Sequence, residues 1–264
     1  MPVTFSATKS VLMRVYLLFF YLLVLGSGVF AQLNQTDAKG RKQGPWQKNY
    51  PGTTIPQYKG TFKDDQPVGK FIYNFENGQK MAEIEHGLPG GNSSVFLYYE
   101  NGQLLADGFY KGELKDSLWY NYAATGELVS AENYKLGQLQ GKSVYYFQQG
   151  QLYEQKLQTQ KIVYYKNGKL DGAYTELHYN GKPKLKGSYL NGEKTGQWTE
   201  YHSNGVVFAK ISYLHDLPHG WTTIYDQSGL VKKRTMYRDG FALTDKELKE
   251  FLARCKAQNI DPNQ

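Results

Sequence analysis

Histidines, carboxylates and one thiol are the residues of this chain that could carry chemistry, and their spacing limits what they do. His215-Asp-Leu-Pro-His219 is the only close histidine pair. Two imidazoles at this separation share one helix face and can hold zinc there, but Pro218 and the phase of the surrounding pattern place this pair in a loop. His178 and His202 recur 24 residues apart, as do Glu176 and Glu200. Such recurrence marks the histidines as exposed polar positions and the carboxylates as cross-strand partners rather than an acid–base pair. Cys255 is alone, so no disulfide and no Cys-x-x-Cys centre is available, and it reads as a small apolar residue on a helix face. The sequence has neither a nucleophile elbow nor a phosphate-binding loop. No catalytic residue, cofactor or metal is expected, and the chain is read as a non-enzyme.

Tyrosine carries the recurring chemistry. Tyr98, Tyr122, Tyr146, Tyr201 and Tyr225 stand in one column, four residues before a glycine that marks each repeat. A phenol joins a flat apolar face to a hydroxyl, so such a column suits ring stacking in a core, or a surface strip for a peptide, glycan or lipid headgroup. Solvent exposure in successive repeats separates these readings. The column is taken as the candidate binding face.

The elements that position it are periodic. Gly78, Gly102, Gly126, Gly150, Gly181, Gly205 and Gly229 are spaced by 24 residues, apart from one interval of 31. Nine residues before each lies Gly69, Ser93, Ser117, Gly141, Gly172, Gly196 or Gly220. Eight after lies Tyr110, Tyr134, Tyr189, Tyr213 or Tyr237, with His86 and Gln158 as exceptions. A fixed period of this size signals stacked supersecondary units. Ala and Leu are not prominent while Tyr, Thr, Val and Phe are, which favours strands. Asn-Gly between β-formers, at residues 77–78, 101–102, 180–181 and 204–205, is a hairpin signal. Thr125, Gln149 and Ser228 replace the Asn elsewhere while the Gly stays, so the Gly conformation is the essential part. After the turn, Val207, Ala209, Ile211 and Tyr213 alternate with polar residues, as a half-buried strand does. Both faces of the first strand carry aromatics, as at Trp119, Tyr120 and Tyr122, so register is left open. Units join through Tyr-x-x-Gly-x-x-x-Gly-x-aromatic, as in Tyr189 to Trp198, read as a connecting loop in which the second Gly lets a ring lie on bare backbone. The long interval places seven extra residues within 151–165, read as an extended hairpin or bulge at the surface, with a recognition loop as the alternative.

The ends differ. Lys9 and Arg14, an apolar run from Val15 to Leu25 and small residues up to Ala31 form a secretory signal peptide over 1–31, with an uncleaved anchor as the alternative. Residues 32–43 are polar and read as a flexible leader, the repeat array spans 44–240, and 241–264 form a helix and tail. Thr244-Asp-Lys-Glu247 is a capping box, followed by Leu248, Phe251, Leu252 and Cys255 on one face. A short amphipathic helix to about Ala257 should cap the last hairpin. Net charge is +7, falling to +5 without Lys9 and Arg14, and no basic block marks a nucleic-acid partner.

At Tyr189-x-x-Gly192-x-x-x-Gly196-x-Trp198-x-x-Tyr201-x-x-x-Gly205 the sequence resembles the MORN repeat family, and more closely its bacterial, antitoxin-like variant. The resemblance covers about residues 44 to 240. It implies an array of β-hairpins used as an interaction surface, and it carries over no catalytic residue. The expected fold is therefore all-β, an elongated array of about eight antiparallel hairpins with a short C-terminal capping helix. At about 10 Å per two strands, the array should be a rod about 80 Å long. The expected function is a non-enzymatic, exported, protein-binding scaffold, located in the periplasm, envelope or outside the cell. An envelope glycan- or lipid-binding module, and an antitoxin-like partner of a toxin, are the alternatives.

Overall fold

In the computed structural model, which describes residues 32–87, 91–148 and 157–262, the chain folds into one antiparallel sheet. The expectation for 1–31, and that for the extra residues at 151–156, lie outside the described residues. Among the described residues the sheet has eighteen strands, each paired with its neighbour in chain order, from Gln35–Thr36 at one edge to Phe241–Ala242 at the other. The expected all-β hairpin array with its C-terminal helix is what is found.

Order begins earlier than expected. Residues 32–43 do not form a flexible leader: Gln35–Thr36 pairs with Lys42–Asn49, Asn34 donates its amide to the Pro45 carbonyl at 2.9 Å, and Trp46 Nε1 donates to the Gln35 carbonyl at 3.1 Å. A two-residue strand covers the sheet edge while offering little backbone for another chain to pair with.

Two kinds of turn alternate along the array. At Phe75–Gln79, the Phe75 amide donates to the Gln79 carbonyl at 2.8 Å and the Gly78 amide to the Phe75 carbonyl at 2.9 Å, with Gly78 at φ +84°. Only the glycine is left-handed, as the retained Gly implied; the preceding Asn is not. The other junction is tighter than the sequence suggested. Asn191 and Gly192, both at positive φ, form a two-residue turn between Leu190 and Glu193. The second glycine of the junction motif, Gly196, lies inside the strand Glu193–Tyr201 and not in a loop.

Register fixes the two faces, because directly opposed residues share one. Phe71, Ile84, Val95 and Gly108 are opposed in series, as are Trp198 and Ile211, so these lie on one face, here called the ring face. Glu83, Phe96, Asp107 and Tyr120 lie on the other. The ring face carries the core: Phe71, Val95, Trp119, Val163 and Trp198 are all buried. A bulge recurs four to five residues before each marker, as between Glu200 and Tyr201, where Glu200 faces Ala209 and Tyr201 faces Val207. The extra residue lies on the returning strand, Phe208 here, and brings Val207 beside Tyr201, which plain alternation from the core position Trp198 has already placed on the opposite face.

Rings on this core face sit on bare backbone. A Cβ at Gly60, Gly108 or Gly187 would overlap the ring of Phe71, Trp119 or Trp198, respectively. Each glycine stands 11 residues before its ring. Where the ring position holds a smaller residue, the earlier position fills the space: Val95 opposes Ile84, and Thr222 opposes Ile211. The bare backbone is thus at Gly187, not at the junction glycine Gly196.

The helix Asp245–Gln258 starts at a Thr244 capping box, with the Thr244 side chain accepting from the Glu247 amide and Glu247 bonding back. It ends at Asn259 in the left-handed conformation. Met236 opposes Trp221 on the face away from the rings, and Arg238, two residues on, lies 4.8 Å over the Phe251 ring. The helix therefore caps the last hairpin on the tyrosine side.

Candidate functional site

The five tyrosines proposed as a binding face form one row on the face opposite the core. Tyr98 lies under the Lys80 ammonium at 5.2 Å, and Lys80 pairs with Glu83 at 2.8 Å. Tyr201 lies beneath Lys186 at 6.0 Å. Tyr122 stands beside Asp107: burial first, then that carboxylate, pushes its hydroxyl pKa up to about 12. Strand alternation puts Tyr146 in line with Val144, and Tyr225 in line with Thr223. All five are half-buried, with their strand partners Leu104, Leu128, Val207 and Val231 beside four of them.

Neighbouring rings on this face are more open. Phe96 is 40% exposed and Phe109 44%, and Tyr164 is 39% exposed. Phe96 lies two residues before Tyr98, and Phe109 and Tyr164 lie one residue before Tyr110 and Tyr165, so the column rule alone does not find them. The signal was the unusual doubling of aromatics on both parities of the strands. At its C-terminal end the row meets Trp221, with Arg234 stacked on it at 4.2 Å, and then the capping helix.

The ring face is closed by lysines. Lys42 lies over Trp46 and Phe62 at 4.9 and 4.6 Å, Lys115 over Trp119 and Tyr134 at 4.3 and 5.0 Å, and Lys194 over Trp198 and Tyr213 at 4.7 and 5.1 Å. Each aliphatic stem covers apolar surface while its ammonium meets the π faces. Burial lowers the Lys115 pKa, an effect that Glu132 opposes.

Glu132 interrupts the apolar column of this face. It opposes Ser143, which is fully buried, where sister repeats put Ile against Val or a ring over Gly. Its carboxylate accepts from Asn121 Nδ2 at 3.2 Å, Ser130 Oγ at 3.2 Å and the Tyr134 hydroxyl at 2.8 Å. Burial, followed by hydrogen bonding to Glu132, raises the Tyr134 pKa. Tyr145 is raised by burial, then by its 3.5 Å hydroxyl contact with Tyr165 and by Glu132. These phenols stay neutral at physiological pH, so the cluster is a hydrogen-bonded node of the core.

The remaining candidates are placed by the same register. Glu176 is bridged by Lys184 at 2.7 Å and Glu200 opposes Leu185, which makes both cross-strand groups. His178 does not project as a free polar residue: its Nε2 is 3.0 Å from the Tyr201 carbonyl. His202 packs edge-on against Phe208, with Nε2 buried. His215 opens a two-residue turn and pairs with Glu193 at 2.7 Å, while His219 is buried and 3.3 Å from Asp239. The two imidazoles thus have separate partners, and no group of metal ligands occurs among the described residues. Cys255 is buried on the helix.

Residues 94–111 and 194–215 match the family described as the MORN repeat variant. Each match covers one strand, its turn and the returning strand, which is the unit seen here. The chain carries MORN repeats at these two places. A search of the curated proteins gives no match. In this chain the rings pack one sheet face, and the other carries the half-buried tyrosine row. The architecture is that of a repeat scaffold.

Proposed function

We propose that this MORN-repeat chain is an exported, non-enzymatic scaffold that binds another protein along its tyrosine face. The observation that carries the reading is the row Tyr98, Tyr122, Tyr146 and Tyr201 beside the open rings Phe96, Phe109 and Tyr164, outside the sealed core. Half-buried tyrosines are held in place by their neighbours, so they offer contact area at little conformational cost. Lys80 and Lys186 over the rings add cationic rims suited to an acidic or polar partner segment. Export rests on Lys9, Arg14 and the apolar run that follows. An antitoxin-like role is less well supported, since export would separate the chain from a cytosolic toxin.

The test is a pull-down from native envelope extract with the full chain, set against a variant with Tyr98, Tyr122 and Tyr146 changed to Ser. A photo-crosslinker at Phe109 identifies what touches the face. A protein partner that crosslinks at Phe109 and is lost with the tyrosines supports the reading. Retention by a folded triple variant, or the absence of any protein crosslink, rejects it.

A further inference from the structure

Among the described residues, the row of rings that opposes the small-residue column on the core face is broken once, opposite Gly69. Phe62, Tyr110 and Tyr134 stand in this row, but His86 takes the place between Phe62 and Tyr110. An imidazole is smaller than a phenol, and a cleft of about 650 Å³ opens beside it. Tyr73, Ile84 and Tyr110 form its apolar walls, and His86, Ser93 and Gln66 contribute polar groups. Ser93 is also a departure, standing in a column held mostly by glycine. Its Oγ is 3.5 Å from His86 Nδ1, a long contact that leaves both atoms with hydrogen-bonding capacity. Phe71 meets the imidazole edge-on at 5.1 Å and fixes its plane.

We propose that this cleft binds a neutral, hydroxyl-rich six-membered ring, a single sugar unit, in the place that a tyrosine ring fills in sister repeats. Aromatic walls suit the C–H faces of such a ring, while Ser93, His86 and Gln66 can read hydroxyls at its edge. Among the described residues no lysine or arginine lines the cleft, which disfavours an anion, and Glu113 is the one carboxylate among them, standing on an exposed turn. Burial lowers the His86 pKa, so the imidazole is neutral at physiological pH and serves as a donor and acceptor. The site lies on the ring face and stands or falls apart from protein binding on the tyrosine face.

Saturation-transfer NMR on the full chain tests it, with methyl glucoside, N-acetylglucosamine and methyl galactoside as probes. At least one should receive saturation on its ring protons, with millimolar affinity. His86→Tyr restores the residue of the sister repeats, fills the cleft and should abolish transfer. Ser93→Ala should weaken binding about fivefold, as the loss of one hydrogen bond does. Absence of transfer to all three sugars, or transfer that survives His86→Tyr, overturns the proposal. Should His86→Tyr fail to fold by circular dichroism, unchanged affinity in Ser93→Ala overturns it instead.

Discussion

Trp198 rests on Gly187: indole atoms Cδ2, Cε2 and Cε3 occupy the space that a Cβ on residue 187 would need. The same relationship holds between Trp119 and Gly108, and between Phe71 and Gly60. Repeats without it place other pairs at the same two positions: Ile84 with Val95, Ile211 with Thr222, Glu132 with Ser143 and Val163 with Tyr174. Ring and glycine are therefore one packing solution, and neither residue is free to change alone.

Gly187→Ala should lower stability by about 1–3 kcal/mol, since the ring or the backbone must move. Trp198→Val should lower it by about 3 kcal/mol through the cavity it leaves. The double variant Gly187→Ile with Trp198→Val transplants the sister pair and should be more stable than Trp198→Val alone. Urea unfolding checks this; a double variant whose loss equals or exceeds the sum of the two single losses would refute the pairing.

Asn180 ties one turn to the next. Its Oδ1 accepts from the Lys182 amide at 3.0 Å while its Nδ2 donates to the Ser203 carbonyl at 2.8 Å. Asn101 does the same toward the Ala124 carbonyl at 3.0 Å. Asn180→Asp keeps the acceptor and loses the donor to the next hairpin. It should therefore lower stability by about 1 kcal/mol while leaving the turn intact. Hydrogen exchange should show faster opening between the two hairpins and unchanged protection of the Lys182 amide.

The Glu132 node should respond differently to two substitutions. Glu132→Ala leaves the Tyr134 and Ser130 hydroxyls without their acceptor, and Asn121 with Ser130 Oγ alone, and should lower stability by about 2 kcal/mol. Glu132→Gln retains an acceptor and should lower it less. Because the carboxylate is among the causes that raise the Tyr134 and Tyr145 pKa values, after burial, tyrosinate absorbance should develop at lower pH in both variants. An unaltered spectral titration would count against the node.

Alkaline pH should unfold the array. Tyr122 is pushed up to about 12 by burial and then Asp107, and Tyr174 to about 12 by burial and then Glu176. Burial likewise raises Tyr73, Tyr110, Tyr189 and Tyr213. Each folded pKa lies above the unfolded value, so the unfolded chain loses protons first. The stabilisation is complete below a pH of about 10 and is lost as pH rises towards the folded values. The urea midpoint, followed through this window, should fall steadily; a flat profile would show that these phenols ionise without resistance from the fold.

The period, the strand character, the left-handed glycine at each turn and the capped helix were all legible in the chain, because each rests on local backbone chemistry that a short stretch encodes. The tyrosine column was legible as a column. Which way it points was not, since both strand parities carry aromatics and only the pairing of Trp198 with Ile211 shows which parity holds the core and leaves Tyr201 on the other face. The glycine beneath each ring escaped for a related reason: Gly187 and Trp198 meet across neighbouring strands, and only register brings them together. The leader was misread because the contacts that order it, from Asn34 and Gln35 to the strand at Trp46, form only once the two strands pair, and composition does not report pairing. Local propensity thus set the repeating unit, while pairing register, which depends on residues far apart in sequence, set what the unit buries and what it presents.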